Sequence, residues 1–122
     1  MRLNEVINRF ALVSGLEPGE VTRWTPVCID AMNELKSKLL PDALSSEENI
    51  LRLSACAGVL AYYRYCLYKS GSEPKSFTAG AVSVTVSELD VEKAYKLWEF
   101  EKKSVENLLA SSEDFCFKRV KV

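Results

Sequence analysis

"LSACAGVLAYYRYCLY", residues 53–68, decides the fold class. Wound as a helix, this stretch puts apolar or small side chains on nearly every side, the pattern of a helix that neighbours contact all round. Arg64 lies within it and Arg52 directly precedes it in the same helix, so that helix is not a membrane span. Ser45 and Glu48 stand at capping-box spacing ahead of Ile50, which predicts a helix that starts there and runs to about Tyr68. Ser54, Gly58 and Ala61 share one flank, where small side chains let another helix come close; plain core packing explains them. Tyr62, Tyr63, Tyr65 and Tyr68 bring polar tips to an interface.

Three further helices are expected around this one. The first spans about Asn4 to Ser14, with Val6, Ile7, Phe10 and Val13 on one stripe and Gly15 placed for a left-handed cap. The second runs to Leu40, where Pro41 ends it, with Val21, Trp24, Cys28, Met32, Leu35 and Leu39 at helical spacing. Pro26 interrupts that pattern and is read as a bend; a helix that begins at Pro26 with Thr25 as its cap is the alternative. The last covers about Asp90 to Ala110, carrying Val91, Ala94, Tyr95, Trp98, Val105, Leu108 and Leu109. Leu53, Leu60, Leu67, Trp98 and Leu108 are expected to meet in one core.

Between the last two long helices the periodicity changes. In "SFTAGAVSVTVSE", residues 76–88, Val82, Val84 and Val86 alternate with Ser83, Thr85 and Ser87, the period of a strand. The tail "DFCFKRVKV" is short, aromatic and β-prone, with Phe115 and Phe117 on one face. Two strands at most make no independent sheet, so this one needs a neighbouring subunit, the tail, or a larger assembly for its partner. The fold expected is therefore all-α: a single domain over residues 1–122, a small bundle of about four helices with a short β-strand or hairpin between the last two long ones.

Composition limits the chemistry. The chain has 122 residues, 48% hydrophobic, with 16 basic and 17 acidic side chains, a formal charge of −1. No global field draws it to nucleic acid or a membrane. Charges at Arg2, Glu5 and Arg9 interrupt what an export signal would need as its apolar core, so a cytosolic location is expected. Cys28, Cys56, Cys66 and Cys116 form no C-x-x-C pair and read as packing residues. With no histidine in the chain, the usual general base and the commonest metal ligand are missing. No catalytic, metal or cofactor site is expected; Glu47 and Glu48 are favourable charges in a helix's first turn.

One motif points to DNA. In "FALVSGLEPGEVTRW", Ala11, Gly15, Leu16, Val21 and Trp24 have the spacing of a helix-turn-helix, with Arg9 and Arg23 as its available cations. The second helix of such a unit would open with Glu17, Pro18, Gly19 and Glu20, and carboxylates facing phosphates are a poor footprint. A DNA-binding packaging or regulatory protein is thus the alternative function.

The order of features from about Ile50 to Val120 resembles the small head-tail connector proteins of long-tailed phages and prophages. The likeness rests on Leu60, Ala61, Tyr63 and Tyr65 in the long helix, on Ser76, Phe77, Ala79, Gly80, Val82 and Val84, and on the closing Phe115 and Phe117. The resemblance implies a non-enzymatic adaptor that forms a cyclic homo-oligomer beneath the portal protein and meets a further head-completion or tail protein. DNA would pass through the ring without sequence readout, and the site would be the host cytoplasm during assembly and then the virion head-tail junction. Phe77, Gly80, Val82, Val84, Val86, Phe115 and Phe117 become the candidate subunit or portal contacts, Gly80 giving its turn freedom and Phe77 anchoring in a neighbour's pocket.

Overall fold

The computed structural model describes residues 1–72 and 88–110. Five helices occupy them: α1 (Leu3–Ser14), α2 (Pro18–Arg23), α3 (Thr25–Lys36), α4 (Glu47–Ser72) and α5 (Glu88–Ser104), followed by a 3-10 turn at Glu106–Leu108. The all-α class holds. The alternating valine segment and the aromatic tail lie outside the described residues.

α4 is the axis of the bundle. α1, α3 and α5 all pack on it, and α1 also meets α3. Leu53, Cys56, Ala57, Val59, Leu60 and Ala61 of α4 are fully buried, together with Val6 and Phe10 of α1, Cys28, Ala31 and Leu35 of α3, and Trp98 of α5. Leu53, Leu60 and Trp98 thus share a core as expected, whereas Leu67 and Leu108 only pack against its edge.

The small-residue flank is where α1 crosses. A Cβ added at Gly58 would stand 2.6 Å from the Arg9 Cβ and 2.8 Å from the Val6 carbonyl oxygen, so the two helices approach to backbone contact there. Ser54 is buried and satisfied: its hydroxyl donates to the Ile50 carbonyl at 2.8 Å and accepts the Arg2 N–H at 3.1 Å. Gly15 ends α1 at φ 70°, the left-handed cap its position suggested.

Five helix boundaries differ from expectation. The second predicted helix does not bend at Pro26 but breaks at Trp24 (φ −97°, ψ 11°) into α2 and α3. A proline within a continuous helix would have to forgo its bond to Thr22; after the break, Pro26 falls in the first turn of α3, where its missing N–H costs nothing. α3 then stops at Lys36 rather than Leu40, because the chain leaves to form a long-range bridge. Leu39 lies opposite Leu109 in antiparallel sense, with Leu40 N–H donating to Leu108 O at 2.9 Å and Ala110 N–H to Lys38 O at 2.6 Å. The same bridge shortens the last helix to Ser104, with the 3-10 turn filling the gap.

The fourth boundary is the cap of α4. Ser45 belongs to the preceding turn, its N–H donating to Asp42 O, and Ser46 does the capping, its hydroxyl accepting the Asn49 N–H at 3.1 Å. The fifth is the end of α4, which continues past Tyr68 to Ser72.

Candidate functional site

α4 and α5 run antiparallel. Tyr63 meets Tyr95 with ring centroids 5.3 Å apart, and about three turns back along α4 Arg52 donates to the Ser104 carbonyl. α4 therefore ends, at Ser72, and α5 begins, at Glu88, at the same end of the bundle. Ala110, from which the tail continues, is bonded to Lys38 beside the opposite end. At 1.5 Å per residue the 17 residues of α5 separate these ends by roughly 25 Å. Phe77, Gly80, Val82, Val84, Val86, Phe115 and Phe117 lie outside the described residues, but the chain that carries them is tethered at the two opposite ends.

The two arginines of the helix-turn-helix alternative are not brought together. Arg9 packs along Gly58. Arg23 pairs with Glu20 at 3.5 Å and adjoins Trp24, whose ring meets Tyr65 edge-on at 4.8 Å and stacks near Tyr68. Seven to ten residues of α4 separate those positions, roughly 10–15 Å of axis. The corner at Gly15 is a packed junction: Phe10 approaches Tyr65 edge-on at 5.9 Å, and this aromatic group continues through Tyr62. Burial raises the Tyr62 and Tyr65 hydroxyls above the usual phenol range.

No family, curated protein or solved structure matches this chain.

The interior holds structural chemistry. Arg64 of α4 pairs with Glu34 of α3 in a partly buried ion pair, and at the surface Arg2 pairs with Glu47 at 2.6 Å, linking the start of α1 to the start of α4. Cys28, Cys56 and Cys66 are buried free thiols, as their packing role required; Cys116 lies outside the described residues. Burial alone pushes the Cys28 thiol up to about 11, and burial followed by the Glu101 carboxylate pushes Cys56 higher still. Among the described residues no cluster of three cysteine, aspartate or glutamate side chains could hold a metal ion, and no helix is long and apolar enough to cross a membrane.

The surface carries one feature the sequence reading passed over. α1 and α5 both lie on α4, yet no Cα of one comes within 8 Å of the other. Between them two grooves of about 360 and 320 Å³ adjoin, sharing Arg9, Leu51 and Ala55. Leu12 (72% exposed) lines the first, and Phe100 (69% exposed) stands one turn before Ser104, which lines the second. The signal was present in the sequence, since both are large apolar residues that fall off the core-facing stripes of their helices.

Proposed function

We propose that this chain is a structural, non-enzymatic subunit of a phage or prophage head-tail connector, which assembles as a ring beneath the portal and forms part of the DNA passage. Its location is the host cytoplasm during assembly and the head-tail junction of the virion. Its partners are its own copies, the portal protein and a further head-completion or tail protein, with no cofactor and no membrane. The observation that carries this is the tethering of two assembly-prone segments at opposite ends of a helical bundle. The alternating valine segment, a strand or hairpin, and the aromatic tail can then engage different neighbours without disturbing the core, as a ring subunit requires. The antiparallel α4–α5 pair supports the reading further, because it supplies the long helix, connection, helix and tail in the order on which the resemblance rests.

The test is Val84→Lys, which places a charge in the apolar contact this reading assigns to the valine segment. The expected result is unchanged helical circular dichroism and melting temperature with loss of ring assembly, alone or with a portal protein from the same genome. Assembly equal to the parent's overturns the interface role, and a lowered melting temperature assigns the strand to an internal pairing. Tight, sequence-selective binding to a DNA duplex at moderate salt overturns the connector reading in favour of a DNA-binding protein.

A further inference from the structure

Arg9 of α1 and Arg52 of α4, far apart in the sequence, line the same 320 Å³ groove, with Leu51 and Ala55 along α4 and Glu101 and Ser104 on the α5 wall. The fold holds each arginine in place. The Arg9 Cβ and Cγ would stand 2.6 and 2.9 Å from a Cβ added at Gly58, so the α1–α4 crossing fixes the first part of that side chain. Arg52 donates from Nη2 to the Ser104 carbonyl, which uses one of a guanidinium's five N–H donors and leaves the others for a ligand. Among the described residues Arg2, Arg23 and Arg64 each have a carboxylate partner, whereas neither Arg9 nor Arg52 forms an ion pair.

The charges decide what such a groove can take. Two guanidiniums against the single Glu101 carboxylate leave a surplus of one positive charge; Glu5 lies in the adjoining groove, one turn before Arg9 on α1. A guanidinium presents its donors as a planar fork that matches a pair of phosphate oxygens. A phosphodiester carries one negative charge, equal to the surplus, whereas a doubly charged monoester would bring an uncompensated charge up to the Glu101 carboxylate. Leu51 (41% exposed) and Ala55 offer an apolar surface for the sugar beside that phosphate.

We propose that Arg9 and Arg52 form a phosphodiester site that holds the nucleic-acid backbone without reading bases. It deepens the connector reading, on which its use in a DNA passage rests, by naming the cleft between α1 and α5 as the face that meets the DNA. Contacts to phosphate carry no sequence information, so all sequences bind alike. One phosphate per copy makes a single chain a weak binder, and copies in a ring add their contacts.

Fluorescence anisotropy of labelled duplexes of unrelated sequence, titrated with the full chain at about 50 mM salt, tests it. The parent is expected to bind all of them weakly and equally, and to lose affinity steeply as salt is raised. Arg9→Gln, which keeps the methylenes beside Gly58, and Arg52→Gln should keep the parent's circular dichroism. Each should weaken binding at least about threefold for every sequence and lower the salt slope by about one. Glu101→Gln should tighten binding, and Arg23→Gln on α2 should bind like the parent. A parent that binds no duplex, or arginine variants that bind like the parent, overturn the proposal. Inorganic phosphate is expected to displace the duplex no better than chloride at equal ionic strength; strong displacement overturns the choice of a diester. Rings that form with the portal while no duplex binds overturn this site and leave the connector reading in place. Binding that Arg9→Gln weakens, in a protein that never forms rings, supports the site and sinks the connector reading instead.

Discussion

Replacing Gly58 with alanine should destabilise the protein even though alanine is the better helix former. Propensity alone would make the variant about 0.8–1.0 kcal/mol more stable. The new methyl group, however, would lie 2.6 Å from the Arg9 Cβ, 2.8 Å from the Val6 carbonyl oxygen and 2.9 Å from the Arg9 Cγ, where ordinary contact is near 3.5–4.0 Å. The Arg9 methylenes can turn aside, but the Val6 oxygen is backbone, and α1 is held by the fully buried Val6 and Phe10. Relief therefore requires α1 to move by about 1 Å off α4, an overpacking cost of about 1–3 kcal/mol. Set against the propensity gain, the net change is a loss of up to about 2 kcal/mol, or a fall in melting temperature of up to roughly 8 °C. Urea unfolding followed by circular dichroism reads it directly. Gly19, in α2 with nothing within 4 Å of an added Cβ, serves as the contrast: Gly19→Ala should be neutral or stabilise by up to about 0.5 kcal/mol. A Gly58→Ala protein more stable than the parent by the full propensity gain of about 0.8–1.0 kcal/mol would refute the close crossing of α1 and α4.

Truncating the fully buried Leu60 to alanine should cost about 2–5 kcal/mol by chemical denaturation, and a loss well below 1 kcal/mol would remove α4 from the centre of the core. Ser46→Ala should cost about 0.5–2 kcal/mol while Ser45→Ala costs little, the reverse of what a cap at Ser45 would give. Burial raises the thiols of Cys28, Cys56 and Cys66 and the hydroxyls of Tyr62, Tyr63, Tyr65 and Tyr95, so each keeps its proton to higher pH folded than unfolded. Unfolding then releases protons in alkali, and stability present below pH 9.0 should fall as the pH rises toward about 11, read as a declining melting temperature. In mass spectra of protein treated with a thiol reagent at pH 8, Cys28, Cys56 and Cys66 should be labelled only after denaturant is added.

What the sequence makes legible here is local. The α1 stripe, the left-handed Gly15 and the small flank of α4 each depend on residues within a few turns of one another, and each occurs where the pattern puts it. The end of α3 was not legible, because Leu39 stands at a good helical position and is drawn out of the helix by Leu109, 70 residues later. Pro26 signalled an interruption without fixing which residue would absorb it. Ser45 and Ser46 are equivalent to a spacing rule, and only the turn built on Asp42 selects the second. The groove was hidden for a different reason: periodicity shows which side chains leave the core, but not that α1 and α5 stop short of each other above Leu51 and Ala55.

The bridge between Leu39 and Leu109 also determines how the bundle would bear force. A pull on the chain beyond Ala110 does not first peel α5 from its end, because Ala110 is bonded to Lys38 and Leu108 to Leu40. The load passes sideways into the link that leads to α4, and these hydrogen bonds must fail before the end of α5 is loaded. The bridge is thus a mechanical clamp where the tail leaves the bundle, and a tail gripped by another protein would strain the link between α3 and α4 before it strained the core.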